Sequence, residues 1–214
     1  MFGEFGMNQL CICDPETSKQ LVDNYINGTN AIMSFPLNIP GTTYYKSLQA
    51  EHEEIIAKRK NPDSSVTWEE YKSMTFTLQV VNEALRLGNT VPGFLRKAVK
   101  DIKVKGYTIP AGWAIMACHS VLHLDPNIYK DPLKFDPSRW KNATPEFISK
   151  NLKPFGGGIK QCAGADFSRA SMCIFLHVFV TKYRWTIVEG GDIIQNPIMH
   201  IKNGLHISLS EKRD

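Results

Sequence analysis

Apolar residues recur three or four positions apart in two parts of the chain, which is the spacing of a helix that buries one face. The first stripe consists of Tyr71, Met74, Leu78, Val81 and Leu85. It follows Thr67-Trp-Glu-Glu70, a capping box, so the pattern predicts one helix from Thr67 to about Arg86. The second stripe lies within Ala163–Thr181 and predicts a longer helix near the C-terminus.

Elsewhere apolar and polar residues alternate, which is the pattern of half-buried strands. Residues 102–109 alternate on either side of Lys105-Gly106, and this predicts a hairpin with a tight turn. Leu205–Leu209 alternates in the same way near the end of the chain. Together the patterns predict a mainly α fold with small β-sheets.

A glycine-rich loop leads directly into the second predicted helix. It reads Phe155-Gly-Gly-Gly-Ile-Lys-Gln-Cys-Ala-Gly164 and places Cys162 just ahead of the helix N-terminus. There the helix dipole and the unpaired N–H groups favour a thiolate over a thiol, and the glycines let the backbone come close to a flat porphyrin. The arrangement therefore suits a thiolate ligand to a haem iron.

The loop also has simpler interpretations. Three glycines before a helix can form only a flexible turn, and a buried cysteine is usually inert packing. A phosphate-binding loop would end in Gly-Lys-Ser/Thr, and a dinucleotide-binding loop would follow a strand. The sequence meets neither of the last two conditions.

The loop resembles the signature of the cytochrome P450 family, Phe-x-x-Gly-x-Arg-x-Cys-x-Gly. The match comprises Phe155, Gly158, Cys162 and Gly164, whereas Lys160 stands where the family has arginine. Lysine keeps the positive charge but loses the bidentate geometry of a guanidinium. The resemblance implies haem b as the cofactor, Cys162 as its iron ligand, Phe155 as a shield of the sulfur, and Lys160 on a haem propionate.

A second family motif is the Glu-x-x-Arg pair, here Glu83 and Arg86. Taken alone, this spacing is typical of a solvated ion pair one helical turn apart. In the family, the pair joins the arginine of a later Phe-x-Pro-x-Arg segment in a buried network beneath the haem, and Phe135–Arg139 supplies that segment. The resemblance therefore implies that Glu83, Arg86 and Arg139 brace the cysteine loop.

Between these motifs, Pro92-Gly-Phe-Leu-Arg96 resembles the family segment whose arginine reaches a haem propionate. An ordinary surface arginine at the start of a strand is an equal alternative for Arg96. His123-Leu-Asp-Pro126 resembles the family's His-Arg-Asp-Pro turn. We predict a structural, packing role for His123.

The motifs match the family over about residues 50–210, and the fold that they imply is the haem-proximal half of a cytochrome P450. Trp68–Thr77 and Thr181–Trp185 resemble plant members that hydroxylate sterols, brassinosteroids and triterpenoids. The resemblance thus implies a monooxygenase that inserts one oxygen atom from O₂ into a sterol-like or triterpenoid small molecule. Its electrons would come from NADPH-cytochrome P450 reductase.

Two family motifs are missing from the sequence, one of which is the Trp-x-x-x-Arg of the helix that crosses the haem edge. No Ala/Gly-Gly-x-Asp/Glu-Thr segment of the oxygen-activating helix occurs, so no catalytic residue is identified. Residues 1–48 resemble the region ahead of that helix and residues 49–214 the region after it, which predicts a join near Leu48–Glu51 with the intervening segment deleted. The alternative function is therefore a non-catalytic haem-binding or interaction remnant.

Net charge and cysteine content narrow the possible functions and cellular locations of the protein. A net charge of +4 over 214 residues is mild and the basic residues are scattered, which argues against nucleic-acid binding. Five cysteines without framework spacing favour a reducing compartment, and Cys11 and Cys13 lack the second pair of a zinc site. The family lies on the cytoplasmic face of the endoplasmic reticulum membrane. This sequence has no apolar run long enough for an anchor, so the cytoplasm is the alternative location.

Overall fold

The computed structural model describes residues 43–88, 93–190, 193–195, 199–201 and 204–212. Residues 1–42, with Cys11 and Cys13 among them, lie outside the described residues, and so does Pro92. The described residues form helices and small sheets, so the predicted mainly α class is confirmed.

Six α-helices lie within the described residues. They are α1 (Thr43–Ala57), α2 (Trp68–Ser73), α3 (Thr75–Gly88), α4 (His119–His123), α5 (Pro145–Asn151) and α6 (Ala165–Lys182). Helices α1, α3 and α6 contact one another, and Leu48, Val80 and Val180 are buried together where they meet. Among the described residues, no helix combines the length and the apolar character that crossing a bilayer requires.

The described strands form antiparallel pairs. The pairs are β1 (Phe94–Lys97) with β4 (Ala114–Ala117), β2 (Ile102–Val104) with β3 (Tyr107–Ile109), β5 (Tyr183–Gly190) with β8 (Leu205–Glu211), and β6 (Ile193–Gln195) with β7 (Met199–Ile201). The β2–β3 turn places Lys105 and Gly106 at φ values of 47° and 87°, as a tight hairpin turn requires. The predicted hairpin and the predicted strand at Leu205–Leu209 are both confirmed.

The prediction of one helix from Thr67 to about Arg86 is wrong, because two helices, α2 and α3, occupy that stretch. Met74 separates them with φ −73° and ψ 62°, and this ψ is far from helical values. The predicted capping box is present at the start of α2. There the Thr67 hydroxyl accepts a hydrogen bond from the Glu70 N–H (3.2 Å), and the Glu70 carboxylate accepts one from the Thr67 N–H (2.7 Å).

A side chain from another helix caps the N-terminus of α3. Glu51 of α1 accepts hydrogen bonds from the backbone N–H groups of Phe76 and Thr77, at 2.7 and 2.9 Å. It also accepts one from the Thr77 hydroxyl, at 2.6 Å. The first N–H groups of a helix have no partner within it, so this carboxylate stabilises a helix that begins just after Met74.

Helix α1 is continuous across Leu48–Glu51, the place of the predicted join. Leu48 is fully buried in the contact between α1, α3 and α6. The boundary between residues 48 and 49 therefore lies inside a single packed helix. The division into residues 1–48 and 49–214 stays a prediction.

We expect Glu51→Ala to lower the free energy of unfolding by about 1–2 kcal/mol, the usual effect of losing a helix cap. The loss arises because the N–H groups of Phe76 and Thr77 lose their acceptor. Chemical denaturation followed by circular dichroism measures it. Glu54→Ala is the matched control, since Glu54 forms an exposed ion pair with Lys58, the residue that follows the end of α1. Equal losses in the two variants would contradict the capping role.

Candidate cofactor site

The loop between α5 and α6 presents a cysteine on a tightly turned backbone. Gly156 and Gly158 have φ values of 76° and 69°, which side chains disfavour, and a short 3₁₀ helix follows at Gly158–Lys160. The Cys162 N–H donates a hydrogen bond to the Phe155 carbonyl at 3.0 Å, which closes the loop on itself. The backbone therefore holds Cys162 in place at the mouth of the loop.

The position of Cys162 leaves its thiol accessible. Its side chain is exposed and lies just ahead of the N-terminus of α6. Gly164 lies between the cysteine and that helix, and a Cβ there would lie 3.8 Å from the Cys162 Sγ. In the same helix Cys173 is buried, and burial raises the pKa of its thiol to about 12. Of these two thiols, Cys162 is the accessible one.

Cys162 borders a cavity of about 520 Å³ with mostly apolar walls. Phe94 and Phe155 contribute aromatic surface, and Arg96 and Lys160 contribute positive charge. A soft thiol ligand, apolar walls and two cations match the chemistry of haem, which is a flat apolar ring with a metal centre and two carboxylates. The residues present therefore fit this cofactor.

A second cavity, of about 560 Å³, lies between α3, α5 and the start of α6. Polar and basic side chains such as Gln79, Lys141 and Arg169 line it, and no cysteine does. Size alone does not separate the two cavities. Of these two cavities, the one bordered by Cys162 is the one that a thiol lines.

A buried carboxylate joins three donor side chains below the loop. Glu83 and Arg86 are both fully buried, with Arg86 Nε and Nη2 each 2.9 Å from a carboxylate oxygen of Glu83. Arg139 Nε donates to the same carboxylate at 2.9 Å, and so does Trp140 Nε1 at 2.9 Å. The Asp136 backbone N–H completes the set at 2.9 Å. This group of residues is called the Glu83 network.

The Glu83 network holds backbone carbonyls as well. Arg86 Nη1 donates to the His123 carbonyl at 2.7 Å, and Arg139 Nη1 donates to the Lys130 carbonyl at 3.2 Å. The ring of Tyr129 lies 4.9 Å from the Arg86 guanidinium carbon, within the range of a cation–π interaction. The network thus fixes the course of the chain between α4 and the 3₁₀ helix at Pro137–Trp140.

Two hydrogen bonds connect this part of the chain to the segment that enters the cysteine loop. The buried Tyr129 hydroxyl donates to the Asn151 carbonyl at 3.0 Å, at the end of α5. His123 Nε2 accepts a hydrogen bond from the Lys153 N–H at 2.9 Å. His123 is fully buried, so the structure gives it the structural role that the sequence predicts. The segment that enters the cysteine loop is therefore anchored to the Glu83 network.

A comparison with known families decides the identity of the fold. The sequence model of the family described as cytochrome P450 matches residues 42–210, which is most of the chain. The chain belongs to the cytochrome P450 family. Haem is the cofactor of that family and the expected cofactor here.

Relatives and solved structures agree with this assignment. Cucurbitadienol 11-hydroxylase of Siraitia grosvenorii is 54% identical over 78% of this chain and 35% of that enzyme. Cholesterol 22-monohydroxylase of Paris polyphylla is 37% identical over 77% of this chain and 35% of that enzyme. The structure of a retinoic-acid-bound cyanobacterial cytochrome P450 aligns with a TM-score of 0.71 and 28% identity, over 87% of this chain and 43% of that one. The chain spans about a third of the length of these curated relatives.

In this cytochrome P450 the structure brings most of the predicted site residues to one place. Phe155, Lys160, Arg96 and Cys162 border the same cavity. Gly158 lies in the loop at a positive φ, and Gly164 immediately precedes α6. Glu83, Arg86 and Arg139 form one network, separate from the cavity lining.

Sequence reasoning missed three participants. Trp140 and the Asp136 N–H bind Glu83, and both neighbour the predicted Arg139, so a wider reading of that segment would have included them. His119 borders the cofactor cavity, and neither its spacing nor its neighbours in sequence indicate this.

We expect Glu83→Gln to lower the free energy of unfolding by about 3–5 kcal/mol, because it leaves the fully buried Arg86 without its counter-charge. Thermal or chemical unfolding of the two proteins measures the difference. Glu69→Gln is the matched control, since Glu69 forms an exposed ion pair with Lys72. If Glu83→Gln were as well tolerated as the control, the network would not stabilise the fold.

Proposed function

We propose that this chain forms the haem-binding part of a haem-thiolate monooxygenase, with Cys162 as the iron ligand. The observation that carries the proposal is the exposed Cys162 thiol at the edge of an apolar cavity that also contains two cations. When bound, haem with a cysteinate ligand supplies the activation of O₂, and electron donation by the thiolate promotes cleavage of the O–O bond.

The residues around Cys162 hold and tune the ligand. The N-terminus of α6 and its dipole stabilise the negative charge on sulfur. Phe155 begins the loop and lines the same cavity as Cys162, and its ring centroid lies 5.0 Å from the Arg169 guanidinium carbon. In this proposal the ring would shield the sulfur. Arg96 and Lys160 line the cavity and would hold the two propionates, each supplying a positive charge for a carboxylate.

Substrate and partner follow from the relatives. The names of the two plant enzymes above describe hydroxylation of a triterpenoid and of a sterol. We therefore propose a triterpenoid or sterol as the substrate of the whole protein, with NADPH-cytochrome P450 reductase as the electron donor. Lys153 and Lys160, both on the cysteine loop, would attract an acidic reductase surface. The proposed location is the cytoplasmic face of the endoplasmic reticulum membrane.

We expect the purified chain, reconstituted with haem, to show the red-shifted Soret band of a ferrous-CO thiolate complex. Cys162→Ser removes the sulfur and should abolish that band. Absorption spectroscopy measures it in both proteins. Cys173→Ala is the matched control, because Cys173 is buried away from the cavity lining. A thiolate band that survives Cys162→Ser would overturn the ligand assignment.

A non-catalytic haem-binding or interaction remnant is the second candidate function. Two observations favour it. The 214 residues contain no acid–threonine segment of an oxygen-activating helix. Helix α6 also exposes an apolar stripe in which Phe167 and Phe175 are 78% and 60% accessible, as expected where a neighbouring part of the fold is missing.

We expect no NADPH-dependent hydroxylation when this chain is combined with haem, the reductase and a panel of sterols and triterpenoids. The reason is that the sequence contains no Ala/Gly-Gly-x-Asp/Glu-Thr segment to deliver protons to bound oxygen. Product analysis by mass spectrometry tests this. A hydroxylated product above the haem-free background would show that the chain is catalytic as it stands.

A further inference from the structure

His119 occupies an unusual place next to the cofactor cavity. It begins helix α4, directly after strand β4, and its ring borders the same cavity as Cys162. The residue is 5% exposed, and its Nδ1 atom is buried with no hydrogen-bond partner among the described residues. Leaving a buried nitrogen without a partner costs about 1–3 kcal/mol. An unpartnered buried nitrogen in a residue that lines a cavity points to a partner that a ligand supplies.

The surroundings of His119 identify the charge of that ligand. The Phe94 ring stacks on the imidazole at a centroid distance of 6.3 Å and an interplanar angle of 13°. The Arg96 guanidinium carbon lies 4.7 Å from the centroid of Phe94, so the imidazole, the phenyl ring and the guanidinium form one corner of the cavity. Lys160 adds a second positive charge to the lining. An anionic, hydrogen-bond-accepting group suits this corner best.

We propose that His119 is a cofactor-positioning residue whose Nδ1–H donates a hydrogen bond to a propionate carboxylate of the bound haem. This inference rests on the proposed function, because it requires haem in the cavity at Cys162. His119 would be a neutral hydrogen-bond donor beside the two cations Arg96 and Lys160. Neither a family motif nor the sequence spacing indicates this role.

The protonation state of His119 agrees with a donor role. Burial lowers the pKa of its imidazole to about 4, so the ring is neutral at physiological pH and carries one N–H. A carboxylate next to Nδ1 places that proton on Nδ1, because the bond to the anion is the strongest one open to the ring. The histidine then donates a directed hydrogen bond to the carboxylate and does not add a third positive charge to those of Arg96 and Lys160.

The test measures haem dissociation from the reconstituted full chain by transfer to excess apomyoglobin. His119→Phe keeps an aromatic ring for stacking but removes the donor, and we expect haem to dissociate about ten to a hundred times faster, the effect of losing a hydrogen bond to a charged group. His119→Asn places an amide donor close to the position of Nδ1 and should recover part of the loss. His206→Phe, on the exposed face of β8, should dissociate at the native rate.

Haem dimethyl ester, in which neutral esters replace both carboxylates, separates a cofactor contact from a packing effect. We expect His119→Phe and the native chain to differ by less than about twofold with this ester, since the charged acceptor is gone. An equal loss with haem and with the ester, or no loss with haem, would overturn the role of His119. So would a spectrum showing the His119 imidazole as an iron ligand.

Spectra of the same samples distinguish a failure of the His119 proposal from a failure of the Cys162 proposal. The ferrous-CO thiolate band should be present in the native chain and in both His119 variants, and absent in Cys162→Ser. If that band persists while the His119 variants hold haem normally, the His119 assignment fails and the Cys162 assignment stands. If the native chain shows no thiolate band, the proposed function itself fails.

Discussion

The structure depends on one buried carboxylate that must be neutralised. Glu83 lies at zero exposure inside the fold, where an unpaired charge would cost several kcal/mol. Two arginines, an indole N–H and a backbone N–H satisfy it, and these donors come from α3 and from the segment around Pro137–Trp140. Because every donor must reach the same two oxygen atoms, the network allows one relative placement of these segments. Two arginines on one carboxylate leave a net positive charge, which carbonyl oxygens and the Tyr129 ring partly offset.

That placement explains how a glycine-rich loop can hold a thiol in a fixed position. Glycines make the loop adaptable, so its order has to come from its two ends. At one end, Tyr129 and His123 connect the Glu83 network to Asn151 and Lys153. At the other end, Cys162 runs directly into α6, which packs against α1 and α3 in the core. The thiol thus stands between two anchored segments, while its own surroundings stay open to the cofactor cavity.

Local sequence patterns predicted the features that local interactions determine. The capping box at Thr67 and the turn at Lys105-Gly106 involve neighbours in sequence, and both are present. The break at Met74 depends on Glu51, which lies on a different helix, so no local pattern contained it. The spacing of Glu83 and Arg86 alone favoured an exposed pair, and only the family resemblance indicated burial. His119 could not be found by either route, because its position at the cavity comes from the packing of β4 against β1.

Helix α6 shows why position, and not residue type, decides which side chains take part in chemistry. Cys162 and Cys173 lie at the start and in the middle of the same helix region. The first is exposed and borders the cavity, so it is not desolvated by the core. The second is packed with Met74 and Val81, and burial raises the pKa of its thiol to about 12. A metal ligand has to lose its proton, and the apolar core that stabilises α6 makes that loss unfavourable at Cys173. The packing that holds the helix in place therefore disfavours Cys173 as a metal ligand and leaves Cys162 as the accessible thiol of this region.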